Sequence, residues 1–295
     1  MLKNKTLILM EVLNPSDDIF FNDWKENGYN ASVVFKKVSK PIRAIRRYCL
    51  MKNIGDITIW LGDWFNNLGK YESIIIHMNR LTRHLPELII NKYPNIKVIG
   101  WYWNTITKES EPIKTDDVRI EYFSFDKNDC KKYGLKYNIQ YYCPIKIENK
   151  EKDNDIYFVG RSKGRRKQIE EFKQIAESNG LKCNFNIYED NDIDIKPYSE
   201  VKKDLTKTKA ILEINKSNQV GFTLRTLESL FYEIKLITDN KEIKNSDIYN
   251  KNNIFIIGED EIDKLNTFVN SKYDISVNKY KDEYSIDTWF NNFYK

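Results

Sequence analysis

Metal and disulfide chemistry find little material in this chain, which has four cysteines and two histidines among 295 residues. Cys49, Cys130, Cys143 and Cys183 are scattered without a C-x-x-C pair, so zinc-site spacing and a dense disulfide framework are both missing. Reduced thiols fit that pattern. Long apolar runs are missing too. Residues 1–10 place two lysines before a short apolar run that stops at Glu11. The run is too short for a signal-peptide core or a membrane span and reads as a first buried strand, so a cytoplasmic protein is expected. A strong excess of one charge is also absent, with 48 basic against 43 acidic residues and a net charge of +5. Nucleic-acid proteins usually concentrate Lys and Arg far more on one face, so no nucleic-acid partner is expected. A modest positive excess suits anionic substrates or a loosely attracted membrane surface.

What the chain does hold is apolar material in short alternating pieces. Hydrophobic residues make up 41% and aromatics 14%, enough for packed cores, and the length suggests about two domains at roughly 150 residues each. Strand-like runs at 6–10, 32–35, 56–60, 73–76, 96–103 and 118–124 alternate with helical stretches at 41–51, 82–92 and 127–133, the order of βαβ units around a parallel sheet. Residues 144–155 are charged and poor in apolar side chains, the best linker in the chain. Beyond it, strands at 156–159, 182–187, 210–214, 236–238 and 254–257 alternate with helices at 165–179, 199–206 and 261–270 and with an amphipathic helix that carries Leu224, Leu227, Leu230 and Phe231 on one side. The spacing predicts a first Rossmann-like domain over 1–150, a second over 151–273, and a C-terminal segment, 274–295, whose Trp289, Phe290, Phe293 and Tyr294 seek burial. Open sheets of this kind bind ligands at the carboxyl ends of their strands.

Two segments of the second half carry the chemistry. Gly160-Arg161-Ser162-Lys163-Gly164-Arg165 follows the apolar strand at once, a strand–glycine–helix junction with free backbone N–H groups and a dense local field of cations. It matches neither G-x-x-x-x-G-K-[ST] nor G-x-G-x-x-G, which removes support for P-loop ATPases and dinucleotide oxidoreductases. Gly221-Phe222-Thr223-Leu224-Arg225-Thr226-Leu227-Glu228 runs from a loop into an amphipathic helix. Arg225 and Glu228 stand three residues apart and share a side of that helix, so the first suits phosphate and the second suits ribose hydroxyls; a plain surface ion pair has the same spacing. Asn218, Gln219, Thr223 and Thr226 lie beside the helix start, as hydrogen-bonding groups or as caps.

These segments, with Ala210-Ile211-Leu212-Glu213-Ile214 between them, resemble the C-terminal domain of GT-B glycosyltransferases, and more closely the bacterial lipopolysaccharide and capsular-polysaccharide biosynthesis enzymes. Trp101-Tyr102-Trp103-Asn104 and Phe123-Ser124-Phe125-Asp126 extend the likeness into the first half, for a coverage of roughly residues 96 to 265. The resemblance implies an α/β chain of GT-B type, two Rossmann-like doubly wound domains facing a cleft. It also implies a nucleotide-diphosphate sugar as donor substrate with no cofactor or metal, a glycan or lipid-linked acceptor on the first domain, and a C-terminal segment, 274–295, that packs back on the first domain. The donor would be held by Gly160, Arg161, Lys163, Arg165, Tyr198, Gln219, Gly221, Thr223, Arg225, Thr226 and Glu228. Many retaining members carry a Glu eight residues before the position of Glu228; here that position is Val220.

An inverting transfer needs a general base. His77, after the 73–76 strand, is one candidate, with Asp63 and Asp126 as rivals; His84 sits in a helical stretch. Asp192-Ile193-Asp194 has the D-x-D form yet reads more easily as a solvated acidic turn, and Tyr198 beyond it is either a platform for the base or a core residue. Residues 36–47 form a basic stretch that suits anionic lipid or an acceptor phosphate, the ground for a peripheral contact with the inner membrane. A nucleotide-binding protein of the same fold without turnover is the rival reading. An epimerase of the same architecture would call for more cleft carboxylates and histidines than this chain offers.

Overall fold

The computed structural model describes residues 2–12, 19–145, 151–192, 194–215 and 221–295. They form two compact units, Met1–Ile139 and Gln140–Lys295, each built on one parallel sheet.

The first unit contains β1 (Thr6–Met10), α1 (Ile19–Glu26), β2 (Asn30–Val33), α2 (Lys40–Lys52), β3 (Ser73–His77), α3 (Leu85–Lys92), β4 (Lys97–Tyr102), β5 (Ile120–Ser124), α4 (Lys127–Tyr133) and β6 (Lys136–Tyr137). The sheet order is β2-β1-β3-β4-β5-β6, with every pairing parallel. Its central strands are buried on both faces, which is why they read as continuous apolar runs rather than alternating ones. Leu7, Leu9, Ile74, Ile76 and Val98 pack on one face with Leu50 of α2 and Ile89 of α3. Residues 56–60, expected as a strand, instead form a 3-10 turn over Ile57–Trp60. The Asp56 carboxylate accepts from Thr58 N at 2.9 Å and Thr58 Oγ1 at 2.6 Å, and this local bond turns the chain before it can extend.

The second unit holds β7 (Asn154–Arg161), α5 (Arg166–Ser178), β8 (Cys183–Tyr188), α6 (Tyr198–Leu205), β9 (Thr208–Glu213), α7 (Leu224–Tyr232), β10 (Lys235–Thr238), β11 (Ile254–Ile256), α8 (Leu265–Asn270) and α9 (Ile286–Asn292). Its sheet order is β8-β7-β9-β10-β11, again all parallel. Alternation along the strands feeds two cores. Tyr157, Ile211 and Leu236 face Val201, Leu205, Leu227 and Leu230 of α6 and α7. Ile156, Phe158, Ala210 and Leu212 face Ile169 and Phe172 of α5 and Leu265 of α8. Helices therefore cover both faces, the doubly wound α/β arrangement expected from the spacing.

Residues 274–295 fall within the second unit. There Tyr142 N donates to Tyr284 O at 3.1 Å, and the Trp289 ring lies 4.5 Å from that of Tyr141. Glu233, the left-handed C-cap of α7 at φ 55°, accepts at 2.8 Å from both Asn278 Nδ2 and Lys281 Nζ. Among the described residues no helix is long and apolar enough to cross a membrane.

Candidate functional site

Both sheets reverse their winding direction once, and at such a point the flanking loops leave on opposite sides and open a crevice at the strands' carboxyl ends. In the second unit this happens between β7 and β9. Gly160 and Arg161 end one strand there, and Glu213, Ile214 and Asn215 end the other.

Gly160 has φ 154°, and a Cβ at that position would stand 2.6 Å from Arg225 Nη2. The absent side chain leaves a gap that the guanidinium of Arg225 fills. Its Nη2 donates to Val159 O at 2.6 Å, and its Cζ lies 4.9 Å from the centre of the Phe158 ring. Gly160 and Arg225, 65 positions apart and both expected at the donor site, thus meet. Arg165 joins them. It immediately precedes α5 and donates from Nε to Ser162 O at 3.1 Å, from Nη2 to Arg161 O at 3.3 Å, and from Nη1 to Ile214 O. Burial lowers the Arg165 pKa, and the positive charge of Arg225 nearby lowers it further. Two cations held this close to the open end of a sheet favour an anion between or above them.

Glu213 is fully buried at the end of β9. Its Oε1 accepts from Thr223 Oγ1 and, at 3.0 Å, from Thr226 Oγ1; its Oε2 accepts from Thr238 Oγ1 at 2.6 Å. One carboxylate therefore fixes the first turn of α7 and the end of β10 to β9. Thr223 in turn caps α7, accepting from Arg225 N at 3.0 Å. Both threonines picked out as ligand-binding groups spend a hydroxyl on Glu213. Glu213 belongs to neither of the two binding motifs in the sequence; its signal there is a charged residue closing an aliphatic strand, with threonines ahead of it. Next to it, Asp239 accepts from Asn215 N at 2.9 Å and has a pKa raised by burial. Asn215 Nδ2 is buried without a hydrogen-bond partner among the described residues.

Arg161 turns the other way. Its guanidinium holds the loop after β8 through the carbonyls of Glu189 (2.5 Å), Asp190 (2.8 Å) and Asp192 (2.8 Å). Asp192 closes the same turn by accepting from Glu189 N at 2.7 Å, as the solvated-turn reading of the acidic loop requires. Among the described residues no group of three or more His, Cys, Asp or Glu is arranged to hold a metal ion. Lys163 is exposed, with a left-handed φ of 45°, in the turn closed by Arg165 N donating to Ser162 O at 2.9 Å. Gly221 is half-buried just ahead of α7. Gln219, with Asn218 and Val220, lies outside the described residues.

Glu228 and Arg225 do not share a direction. The Glu228 carboxylate is 3% exposed and accepts from the Tyr198 hydroxyl, which lies 3.4 Å from that of Tyr142. Burial raises the Glu228 pKa against the opposing pull of Tyr198, Arg225 and Lys202. Tyr198, at the start of α6, thus serves as a hydrogen-bond partner inside the apolar layer under α6 and α7.

The three base candidates all stand in the first unit. His77 ends β3 at 2% exposure, 4.7 Å from the Trp24 ring and 5.9 Å from that of Trp103. Burial lowers its pKa to about 3, so the imidazole is neutral and a weak proton acceptor. Asp126 is the N-cap of α4, accepting from Asn128 N and Asp129 N at 2.9 and 3.1 Å. Asp63 is exposed in a depression with Asn30 and Ser32 of the edge strand β2.

No family model matches the chain, and no curated protein matches it. Among solved structures, MurG of Acinetobacter baumannii is similar over 94% of this chain and 93% of its own, at 9% identity and a TM-score of 0.36. A 5-methylthioribose transporter solute binding protein from Thermotoga lettingae TMO, in complex with 5-methylthioribose, is similar over 80% of this chain and 69% of its own, at 12% identity and a TM-score of 0.24. Superpositions this loose have no bearing on function.

Proposed function

We propose that the chain is a glycosyltransferase of GT-B type, whose second unit binds a nucleotide-diphosphate sugar and whose first unit receives a glycan or lipid-linked acceptor of a bacterial surface polysaccharide. One observation supports this most. At the carboxyl edge of the second sheet, the gap at Gly160 is filled by the Arg225 guanidinium, with Arg165 and the first turns of α5 and α7 beside it. Fixed cations and helix starts stabilise the charge that develops on a departing nucleoside diphosphate without a metal. Of the segments that carry the resemblance to GT-B enzymes, those of the second half end β7 and β9 and begin α7.

A binding protein without turnover is the second reading. It draws support from the first unit, where His77 is buried among aromatic rings and Asp126 is engaged as a cap.

Calorimetry with UDP, GDP, dTDP and CDP tests the donor site. At least one should bind the unchanged chain, and Arg225→Gln should weaken it about tenfold or more, as loss of a charge-assisted contact does. Binding that is the same in both proteins, or no binding in either, rejects the site. Release of nucleotide from the matching sugar nucleotide, in the presence of cell extract as a source of acceptor, separates turnover from binding alone.

A further inference from the structure

The first unit has its own reversal of winding, between β1 and β3, and a cavity of about 600 Å³ opens there. Glu11 follows β1 directly into it, and Arg80 enters from the turn after β3. Asn79 lines it from the same turn, and the other polar residues of the wall come from α2, where Lys40, Arg43 and Arg47 recur at three- and four-residue spacing and so share one face. Arg46, 5% exposed, closes the wall from behind. Its Nη1 donates to Lys36 O at 2.7 Å, and its guanidinium lies 4.8 Å from the centre of the Phe35 ring.

Five cations and one carboxylate therefore line one cavity. Among the described residues the side chains of Glu11, Lys40, Arg43 and Arg47 have no hydrogen-bond or ion-pair partner. Arg80 is shared with Glu109, an ion pair at 3.0 Å whose ends are 38% and 58% exposed and which adds little. A carboxylate ringed by arginines usually closes onto one of them. Here it stands apart, and the space between is large enough for a small molecule. Burial raises the Glu11 pKa, and Arg46, Arg47, Arg80 and Arg43 pull it back. Guanidinium forks converging from two elements match the several oxygens of a phosphate better than the two of a carboxylate. Glu11 adds a constraint of its own. It repels a ligand that offers only anionic oxygens, and it accepts a hydrogen bond from one that places a hydroxyl beside the phosphate.

We propose that this pocket binds a phosphate group that carries a neighbouring hydroxyl, with Arg43, Arg47 and Arg80 taking the phosphate and Glu11 the hydroxyl. The site is independent of the nucleotide site of the second unit. Its ligand is a soluble sugar phosphate or the headgroup of a phospholipid, which share this chemistry.

The test uses the full chain and two ligands: glucose 1-phosphate by calorimetry, and phosphatidylcholine vesicles with and without phosphatidylglycerol by flotation. The double variant Arg43→Gln/Arg47→Gln changes side chains without hydrogen-bond or ion-pair partners among the described residues, so its melting temperature should stay close to that of the parent. It should lose at least about tenfold in affinity for whichever ligand binds, the loss expected for two charge-assisted contacts. Glu11→Gln should bind inorganic phosphate more tightly than the parent, because a repulsion is removed, while gaining less for glucose 1-phosphate. Binding of glucose 1-phosphate alone assigns a soluble ligand, and flotation alone assigns a lipid. Equal binding by parent and double variant, or no binding of either ligand, overturns the proposal. Arg225→Gln should leave both readouts unchanged, which separates this site from the nucleotide site.

Discussion

The two winding-reversal points share a topology and differ in how their charges are employed. In the second unit nearly every charged group is already engaged: Arg225 with Val159 O, Arg165 with three carbonyls, Arg161 with three more, Glu213 with three threonines. In the first unit Lys40, Arg43, Arg47 and Glu11 stand around a cavity without such bonds among the described residues. The first arrangement is pre-organised: a ligand meets dipoles that are already oriented, and little ordering is left to do on binding. The second holds its charges on long side chains that must be ordered by what they bind, at about 0.5–1.5 kcal/mol for each immobilised side chain. One site is built for geometry and the other for charge.

Three substitutions break or sharpen that contrast. The largest effect is expected at Glu213. Glu213→Leu leaves the hydroxyls of Thr223, Thr226 and Thr238 without their acceptor, and at about 1–3 kcal/mol for each buried group the loss should reach about 3–5 kcal/mol. Urea unfolding measures it, and a cost below about 1 kcal/mol would show that the network holds nothing.

Next comes the aromatic box of the first unit. His77 has a folded pKa of about 3, below the usual value near 6.5, so the fold prefers the neutral imidazole. Stability from this group is complete above about pH 6.5 and falls as the pH drops toward 3, at about 1.4 kcal/mol per unit. Between pH 7 and pH 5 the parent should lose about 2 kcal/mol that His77→Phe does not lose. Proton NMR offers a direct check: the ring protons of His77 should not titrate over that range. A midpoint near 6.5 would return His77 to the list of usable bases.

Gly160→Ala is the mildest. The left-handed φ and the displaced guanidinium should together cost about 1–2 kcal/mol of stability. Nucleotide affinity should fall by a similar factor to that of Arg225→Gln. Full affinity in Gly160→Ala would mean that the position of the guanidinium, the basis of the contrast, is immaterial.

Much of the fold was legible because buried parallel strands are nearly pure apolar runs, as at Ser73–His77 and Lys97–Tyr102. The ends were less so. Ile57–Trp60 is as apolar as a strand, and only the Asp56 carboxylate turns it into a 3-10 segment. The helix at Ile286–Asn292 shows in the sequence only as aromatic residues that seek burial, because Ser285 as its cap looks like any loop serine. At the site, glycine and arginine each carry a signal of their own chemistry, and a separation of 65 positions hides their contact. The direction of Glu228 depended on a tyrosine 30 residues away, which helical spacing to Arg225 does not report. Glu213 is silent in the sequence because a terminal strand carboxylate resembles a solvated one until three hydroxyls surround it.

The gap at Gly160 has one more consequence. Arg225 grows from α7, a helix that packs on one face of the second sheet, yet its guanidinium rests on Phe158, whose ring belongs to the core on the opposite face. The two layers are thus stitched together around the open edge of the sheet as well as through it. A ligand that draws the guanidinium toward itself pulls on both layers at once. Slowed amide exchange should then appear along α5 as well as α7, a response on the far side of the sheet from the helix that carries the arginine.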